Sequence, residues 1–444
     1  MRARYKSLVD DMAAKIRNGT LTAGTQLPTH RALAIQAGIS LATSSRVYAE
    51  LELMGLVKGE TGRGTFVREF PVSPGQHVDQ HAVATDMLDL NFNYPALPEQ
   101  AELLREAFRQ LTSAGDIESF LRYQPHAGRV QDRLSIAEHL SGADFRPAAD
   151  DVLIVNGAQH GLAMVALGLL SPGDVVAVDS LTYPGFKAVA GLAHLELLPI
   201  PPAGQGADLD VLESLCRLRR IRAIYTMPTL HNPMGWVTDL PHRLRLIALA
   251  RRYDMLIIED AAWSFLIENS PPPLAALAPE RTIHVTGFSK NIAAGLRIGA
   301  LICPQSMREP LERAIRTTTW NTPSIITAIT TAWLNDGTVK RLEALKRKDA
   351  LLRQSMARQI FGEMTCLSHP ASYFLWLPLS GEERADKILK YLIPEKISVS
   401  TAEPFSTGKY VPQAIRIALG SIPVEKLEHA LNRIKEAVLY QRDL

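Results

Sequence analysis

The sequence is poor in cysteine and has no long hydrophobic run. Its three cysteines, Cys216, Cys303 and Cys366, are far apart and include no CxxC pair, which argues against a disulfide framework and against a zinc site. The histidines do not cluster either, so we expect no bound metal. The longest apolar run, around residues 162–170, is about half of the ~18 residues that a membrane-spanning helix needs. The N-terminus lacks the apolar segment of a signal peptide, so we expect a cytoplasmic protein.

The charge of the chain is unevenly distributed. A length of 444 residues with 46% hydrophobic and 21% charged residues is typical of a soluble globular protein of two or three domains. Residues 1–70 contain 10 Lys/Arg and 6 Asp/Glu, a net charge of +4, whereas the remainder contains 38 and 40, a net charge of −2. A small basic region before a slightly acidic large one is compatible with nucleic-acid binding at the N-terminus.

The first seventy residues have the pattern of three short helices and a hairpin. Apolar residues recur at helical spacing in residues 5–19, 29–37 and 40–54. Thr29 and Ser40 are typical N-cap residues, and Gly38 suits a left-handed turn. Two β-prone runs then flank a Gly-rich turn in LVKGETGRGTFV. The pattern predicts a helix-turn-helix followed by a β-hairpin wing.

Short polar and basic side chains on the second helix of the pair are candidates for DNA contact. Thr43, Ser44 and Arg46 are predicted on the face opposite the apolar residues, where they could present hydrogen-bonding groups to base edges. Arg63, at the tip of the hairpin, would contact phosphate or the minor groove. For each residue taken alone, an ordinary solvated surface is the alternative. The predicted DNA-binding residues are Arg31, Thr43, Ser44, Arg46 and Arg63.

This segment resembles the GntR-type winged helix-turn-helix. The resemblance lies in LPTHRALA, GIS, RVYAELELMGLV and GRGTFV, and it spans residues 5–67. It implies a domain over residues 1–69 that binds a double-stranded DNA operator. The family commonly has an arginine after the capping serine, where this sequence has Leu41, so one usual DNA contact is missing. Residues 70–86 are polar and aperiodic, which predicts a linker to a second module at residues 87–444.

From Met87 onward, short β-branched runs alternate with helical patterns. VLIV, VVAV, AIYTMP, MLIIED and TIHVTG have the uninterrupted apolar character of strands that are buried on both faces. They predict an α/β module with a large, mostly parallel sheet. From about Trp320, a long charged helix is followed by the strand-like runs YFLWLPL and AIRIALG, which predicts a smaller α+β subdomain at about residues 320–444.

Three motifs follow predicted strands, where open α/β sheets bind their ligands. NGAQHGL opens a helix whose first amides, at Gly157, Ala158 and Gln159, would hold a phosphate; an ordinary strand–helix turn is the alternative. Asn232 in HNPMG precedes a proline and is held extended; a turn asparagine is the alternative. Asp260 in IIEDAAW ends a strand among apolar residues, and a buried carboxylate stays charged only with a partner; helix capping is the alternative.

The stretch VTGFSKNIAAGLRIGA contains a lysine, Lys290, in apolar surroundings. Desolvation lowers the pKa of a lysine, so Lys290 can be a neutral amine that forms an imine with an aldehyde. An aldehyde on a pyridine ring needs a carboxylate at its ring nitrogen, a phosphate site, a donor to its phenolate and an aromatic ring on its face. Asp260 can pair with the ring nitrogen, and Arg297 with residues 157–159 can hold the phosphate. Asn232 can donate to the phenolate, and Tyr183 can cover the ring face. Together these residues predict pyridoxal 5'-phosphate.

Residues 87–444 closely resemble the fold-type I aminotransferases, whose cofactor is pyridoxal 5'-phosphate. By this resemblance Lys290 is the catalytic Schiff-base lysine, and Arg416 in AIRIALG grips the carboxylate of a substrate or effector. Tyr123 in RYQPHAG matches the tyrosine of the family's YxxPxG motif and is the predicted contact with the partner subunit's site. The implied cofactor-binding residues are Gly157, Ala158, Gln159, Tyr183, Asn232, Asp260, Trp263, Ser289, Lys290 and Arg297.

Three positions depart from the family pattern. Trp263 replaces a tyrosine that donates to the cofactor phenolate, and its indole N–H could still donate from a larger ring. Gly287 replaces a serine, so one phosphate hydrogen bond is lost. Ser372 stands where glycine is common and is expected to narrow the substrate side of the pocket. Trp263 and Gly287 favour a site kept for binding and sensing over one adapted to fast turnover.

The two modules in this order are the layout of the MocR subfamily of GntR-type transcriptional regulators. The resemblance implies a homodimer, head to tail, in which an amino compound bound to the aminotransferase-like module changes operator binding. One alternative is an active aminotransferase with an attached DNA-binding domain. Another is a sensor of pyridoxal phosphate itself. The sequence leaves the three open.

Overall fold

The computed structural model describes residues 2–17, 20–22, 24–60, 63–68, 87–113, 117–380, 383–408 and 410–442. The predicted linker, residues 70–86, lies outside these ranges. No helix within them is long and apolar enough to cross a membrane.

The N-terminal domain has the predicted helices followed by a hairpin. Its elements are α1 (Arg2–Arg17), α2 (His30–Ala37), α3 (Leu41–Leu53), β1 (Val57–Glu60) and β2 (Gly64–Val67). The Thr29 hydroxyl accepts the Ala32 N–H at 3.2 Å, and the Ser40 hydroxyl accepts the Thr43 N–H at 3.1 Å, so both predicted N-caps are confirmed. Gly38 has a φ of 61° between α2 and α3, which confirms the predicted left-handed turn.

The second module is built on a large sheet that is parallel except at one strand. In spatial order its strands are β4 (Val152–Val155), β10 (Gly299–Ile302), β9 (Thr282–Gly287), β8 (Leu256–Asp260), β7 (Ala223–Thr226), β5 (Val175–Asp179) and β6 (Glu196–Ile200). Strand β10 runs antiparallel to both neighbours, and the other pairs are parallel. Strands β6 and β10 are additional to the predicted five, because Pro199 interrupts the apolar pattern of one and the other is a short run that begins with glycine.

Helices cover both faces of this sheet. Val152 and Ile154 of β4 pack in one hydrophobic cluster, and Leu153 and Val155 pack in another, as the alternation of side chains along a strand requires. The helices of the module are α4 (Gln100–Ser113), α5 (Val130–Leu140), α6 (Gly157–Leu169), α7 (Pro184–Leu192), α8 (Leu209–Leu218), α9 (Leu240–Arg252), α10 (Leu274–Leu277), α11 (Gln305–Thr318), α12 (Ser324–Asn335) and the long charged helix α13 (Thr338–Phe361).

A smaller sheet and two further helices form the predicted C-terminal subdomain. Its strand order is β11 (Phe374–Pro378), β13 (Ala414–Ala418), β12 (Ile397–Thr401) and β3 (Leu88–Leu90), and α14 (Ala385–Leu392) and α15 (Val424–Arg442) pack on it. Strand β3 pairs in parallel with β12, so the subdomain also includes residues from the start of the module. The expected range of about 320–444 misses β3, because three residues carry no readable periodicity and their partner strand lies far along the chain.

Candidate functional site

A cavity of about 960 Å³ opens between the large sheet and the small subdomain. It lies at the carboxyl ends of the parallel strands β8 and β9, where ligands bind in open α/β sheets. The structure brings together there most of the residues predicted to form the site. Those that line the cavity are Ala158, Gln159, Tyr183, Asn232, Asp260, Trp263, Ser289, Lys290, Arg297 and Arg416.

One end of the cavity has the features of an anion site. Gly157 begins α6 with a φ of 82°, and a Cβ atom there would lie 2.8 Å from Nη2 of Arg297. The Arg297 guanidinium donates to the Ser289 hydroxyl at 3.0 Å. The free N–H groups of the first helical turn and the adjacent guanidinium together suit a phosphate.

Gly287 also lies against this helix start. A Cβ atom at this position would come within 3.1 Å of the amide nitrogen and the Cβ atom of Ala158. A serine here would therefore need Ala158 to move by a few tenths of an ångström. The glycine that costs the site one hydroxyl donor thus also suits the close packing of β9 against α6.

Asp260 is buried at the end of β8, with its two carboxylate oxygens already engaged. Oδ2 accepts the Tyr225 hydroxyl at 2.8 Å, and Oδ1 accepts the Ala262 N–H at 3.0 Å. Burial raises the pKa of Asp260, and these hydrogen bonds partly offset that rise. The Tyr225 ring stacks on Phe186 at 3.9 Å between centroids, so the carboxylate is held rigidly. Sequence reasoning missed Tyr225, which lies on a strand that looks wholly structural.

Lys290 extends into the cavity from the loop after β9. Its amine donates to the carbonyl oxygen of Asn93 and lies 5.3 Å from the centre of the Trp263 ring. Burial, assisted by the positive charges of Arg416 and Arg297, lowers the pKa of Lys290 to about 8. The predicted desolvated lysine is therefore present, and a substantial fraction of its amine is neutral near pH 8.

Several buried polar atoms at the cavity have no hydrogen-bond partner among the described residues. They include Oδ1 of Asn232, Oε1 of Gln159 and Nε of Arg416. A buried polar group without a partner costs about 1–3 kcal/mol, and such groups are expected where a ligand completes the structure. A side-chain amide can present either its oxygen or its nitrogen after a half-turn, so Asn232 can serve as donor to a phenolate.

Arg416 is a buried cation without a bound carboxylate among the described residues. It is 4% exposed, donates to the Asn91 carbonyl at 2.7 Å, and lies over the rings of Phe374 and Phe405 at 5.1 and 5.8 Å. Burial lowers its pKa to about 9, although the Asp89 carboxylate opposes this shift. A ligand carboxylate would supply the missing counter-charge.

Comparison with known families agrees with this geometry. A model of the aminotransferase class I and II family matches residues 85–434, and a model of the gntR family of bacterial regulatory proteins matches residues 4–67. The chain belongs to the aminotransferase class I and II family. Its second module is therefore an aminotransferase module, preceded by a gntR-family winged helix, and the predicted two-module architecture is confirmed.

Two relatives named as transcriptional regulators match nearly the whole chain, and a transaminase matches a shorter part of it. The uncharacterized HTH-type transcriptional regulator YdeF of Bacillus subtilis is 27% identical over 431 residues, which cover 96% of this chain and 92% of that protein. The regulator YjiR of Escherichia coli is 26% identical over 471 residues, with 98% of each chain covered. A 2-aminoadipate transaminase of Thermus thermophilus, 26% identical over 354 residues, covers 78% of this chain.

Solved aminotransferase structures share the fold of the module. The kynurenine aminotransferase of Pyrococcus horikoshii, in complex with PMP, superposes with a TM-score of 0.77 at 22% identity, covering 84% of this chain and 96% of that one. The α-aminoadipate aminotransferase of Thermus thermophilus superposes with a TM-score of 0.74 at 24% identity, covering 82% and 94%. At these identities the likeness concerns the fold alone.

Two departures from the aminotransferase pattern, Trp263 and Ser372, differ in where the structure places them. Trp263 packs on Phe374 and Tyr373, and the Lys290 amine lies 5.3 Å from its ring centre in a cation–π contact. The expected donation of its indole N–H to the cofactor phenolate stays a prediction. Ser372 does not line the cavity; its hydroxyl is buried and bonded to Gln354 and to the Phe374 carbonyl. The expectation that Ser372 narrows the substrate side was therefore wrong.

Lys346 supports the lysine loop of the aminotransferase module from behind. Its buried amine donates to the carbonyl oxygens of Lys290 at 3.0 Å and Ile292 at 2.8 Å, which ties α13 to the loop. Sequence reasoning missed Lys346, because a lysine in a highly charged helix is normally exposed. The one sequence signal for its burial is its i, i+4 spacing from Leu342 and Ala350, which lie on the buried face of α13.

Tyr123 is not part of the cavity within one chain. It is 84% exposed, and its ring lies 5.3 Å from that of Trp320. Its predicted approach to the partner subunit's site stays a prediction.

The outer face of α3 differs from the prediction at Ser44. Ser44 is completely buried, because it precedes the core residues Val47 and Tyr48 by one helical turn and shares their face. Thr43 is half-buried, with its hydroxyl 2.8 Å from that of Ser40. The exposed hydroxyl is that of Ser45, which plotting the helix at 100° per residue would have shown.

The remaining predicted DNA contacts lie on the surface of the winged helix. Arg31, Arg46 and Arg63 are exposed. The Arg46 guanidinium lies over the Tyr5 ring at 4.5 Å, so it already has a contact within the domain. Next to them, His30 Nδ1 lies 2.9 Å from the Ser45 hydroxyl, a pair that sequence reasoning missed. The roles of these residues in DNA binding stay predictions.

Proposed function

We propose that the protein is a pyridoxal 5'-phosphate-dependent transcriptional regulator of the MocR type. The observation that carries the proposal is the union, in one chain, of a gntR-family winged helix with a cavity that retains the cofactor residues Lys290, Asp260, Asn232 and Arg297. The naming of full-length relatives as HTH-type transcriptional regulators supports the same reading. The aminotransferase module then serves as the sensor and the winged helix as the output.

The charged side chains and the unpaired polar atoms at the cavity match the groups of the cofactor. Arg297 and the first amides of α6 would hold its phosphate, and Asp260 would hold the proton of its ring nitrogen. Asn232 would donate to its phenolate and Tyr183 would cover one ring face. When bound, pyridoxal phosphate supplies an aldehyde that reacts with amines. Lys290, whose pKa is lowered to about 8, is the amine of this chain that it would meet.

The effector is an amino compound or pyridoxal phosphate itself. An amino compound would compete with Lys290 for the same aldehyde, while Arg416 would hold its carboxylate if it has one. Binding changes the charge and hydrogen bonding between the large sheet and the small subdomain, which shifts the relative stability of their arrangements. As a head-to-tail homodimer, the protein would present two winged helices to a double-stranded operator.

Removal of Lys290 is the first test. Lys290→Ala should abolish the visible imine absorbance of the cofactor-loaded protein, because the amine that binds the aldehyde is lost. Operator binding, measured by mobility shift, should persist but no longer respond to added amines. Unchanged absorbance in the variant would refute the role of Lys290, and a wild-type protein whose operator binding ignores both cofactor and amines would refute the proposal.

An active aminotransferase with an attached DNA-binding domain is the second candidate. It is favoured by the retention of Asp260, Lys290 and Arg416 together and by the 2-aminoadipate transaminase among the relatives. It predicts steady conversion of an amino acid with a keto-acid acceptor. Trp263 stands where the family has a tyrosine, and Gly287 stands where it has a serine. These replacements favour the regulator, in which transamination would be weak.

A further inference from the structure

The winged helix carries two carboxylates that face the small subdomain. Asp10 of α1 lies 3.0 Å from Nη1 of Arg384. Glu50 of α3 lies 3.6 Å from Nε of the same guanidinium and 3.4 Å from the amine of Lys387. Two negative charges of one domain thus meet two positive charges of the other.

The pair Glu50–Arg384 differs from an ordinary surface ion pair in its burial, whereas Asp10 is 46% exposed. The side chains of Glu50 and Arg384 are 5% and 3% exposed, whereas the pair Arg219–Glu196 elsewhere in the chain is 39% and 51% exposed. An exposed pair contributes little, but a buried charge depends strongly on its partner. Apart from Tyr5, whose hydroxyl donates at 3.2 Å, the described partners of the Glu50 side chain belong to the small subdomain.

Arg384 is joined through a short path to the cavity. It directly precedes α14, and the N–H of the next residue, Ala385, donates to the Gln413 side chain at 3.1 Å. Gln413 directly precedes β13, which carries Arg416. Helix α14 and strand β13 also share one hydrophobic core. The arginine at the cavity and the arginine at the winged helix therefore belong to one packed body.

We propose that the acidic pair Asp10 and Glu50 docks the winged helix on the basic pair Arg384 and Lys387, and that this contact transmits ligand binding at Arg416 to the DNA-binding domain. The coupling rests on the proposed function, whereas the docking does not. An anion at Arg416 biases the position of the small subdomain, and the docked winged helix moves with it. The contacts that differ between the two arrangements of the small subdomain then supply the free energy that couples ligand binding to DNA binding.

Charge reversal tests the docking directly in the full-length, pyridoxal-phosphate-loaded protein. Asp10→Arg and Arg384→Asp should each raise hydrogen exchange of α1 and α3 by about tenfold, since coupled charge pairs commonly contribute of that order. The double variant Asp10→Arg/Arg384→Asp should exchange more slowly than Arg384→Asp alone, because opposite charges are restored between positions 10 and 384, while Glu50 still faces a carboxylate at position 384. Arg219→Asp, which breaks the exposed pair with Glu196, is the matched control and should leave α1 and α3 unchanged. Single variants without effect, or a double variant that exchanges as fast as Arg384→Asp alone, would overturn the docking.

Operator affinity tests the coupling, with pyridoxal phosphate alone and with a mixture of the common amino acids as probes. The wild-type response should be lost in Arg384→Asp and in Lys387→Glu, while their cofactor absorbance stays intact and shows that the module is folded. The double charge reversal Asp10→Arg/Arg384→Asp should regain part of the response, because one of the two contacts of position 384 is restored. A response that survives in the single variants would overturn the coupling. A wild-type protein without any response would refute the proposed function and the coupling with it, while the exchange result would still report the docking.

Discussion

Arg243 and Arg416 are both buried, yet their surroundings differ. Arg243 is 0% exposed, and its guanidinium donates to the hydroxyl of Thr229 and to the carbonyl oxygens of Pro228, Thr238, Pro271 and Pro272. Arg416 donates to one carbonyl and keeps Nε without a described partner. Burial lowers the pKa of both groups.

The difference separates a cation whose donors are all used within the fold from one that keeps an unpaired donor at a cavity wall. Arg243 fastens the loop before Asn232 to the loop after β8, and its donors are used for that purpose. Arg416 retains donor capacity at the wall of a cavity, where a carboxylate would complete it. Burial alone therefore does not identify a binding residue; the state of its donors does.

The largest effect should come from removing the satisfied arginine. Arg243→Met should lower the free energy of unfolding by about 3 kcal/mol or more, since each buried carbonyl left without its donor costs about 1–3 kcal/mol. In cofactor-free protein, Arg416→Met should change it by less than about 1 kcal/mol, because an unpaired buried charge is replaced by an apolar chain. Denaturant unfolding measures the free energy of unfolding of both variants. Equal losses of stability would contradict the distinction between Arg243 and Arg416.

Ligand binding should show the opposite order. Arg416→Met should weaken the binding of an amine that carries a carboxylate by about 10- to 100-fold, because a hydrogen bond to a charged group contributes about 1.5–3 kcal/mol. An amine of the same shape without a carboxylate should bind equally well to both proteins. Spectral titration of the cofactor-loaded protein with alanine and with isopropylamine gives the ratio of the two affinities. If this ratio is the same in the variant and in the wild type, Arg416 is not the carboxylate site.

The charge of Arg416 should also appear in the pH dependence of cofactor uptake. The pKa of Lys290 is lowered to about 8, so the neutral amine grows about tenfold per pH unit below that value and saturates above it. The rate of absorbance gain on mixing cofactor with cofactor-free protein should follow this curve. Arg416→Met removes a neighbouring positive charge, which raises the pKa of Lys290 and moves the plateau to higher pH. A plateau near the ordinary lysine value in the wild type would contradict the desolvation of Lys290.

The smallest effect concerns the winged helix, where burial again separates two similar residues. Ser45→Ala should reduce operator affinity by up to about tenfold, the effect of one lost contact to a base or phosphate. Ser44→Ala should leave operator affinity unchanged, because the Ser44 side chain is buried and its hydroxyl has no described partner. Fluorescence anisotropy with labelled operator DNA compares the two. A larger loss for Ser44→Ala would mean that α3 does not present the face described above.

Much of the site could be predicted because its residues occur in short motifs at strand ends. Lys290, Asp260, Asn232 and Arg297 each follow a recognisable strand, and the strands bring them to one edge of the sheet. Tyr225, Asn93 and Lys346 could not be found in this way. Their contacts with Asp260 and Lys290 depend on which strands, loops and helices become neighbours, and this is a property of the packed chain.

The sequence by itself determined the two modules, the N-caps at Thr29 and Ser40, and the candidate cofactor residues, since these depend on local periodicity, capping and motif spacing. Only the tertiary structure decided that Ser372 turns away from the cavity and that Arg416 keeps an unpaired donor where Arg243 does not. It also brought Asp10 and Glu50 to Arg384, more than three hundred residues away in the chain. Hydrogen bonds and desolvation are settled by neighbours in space, and a linear pattern contains little information about them.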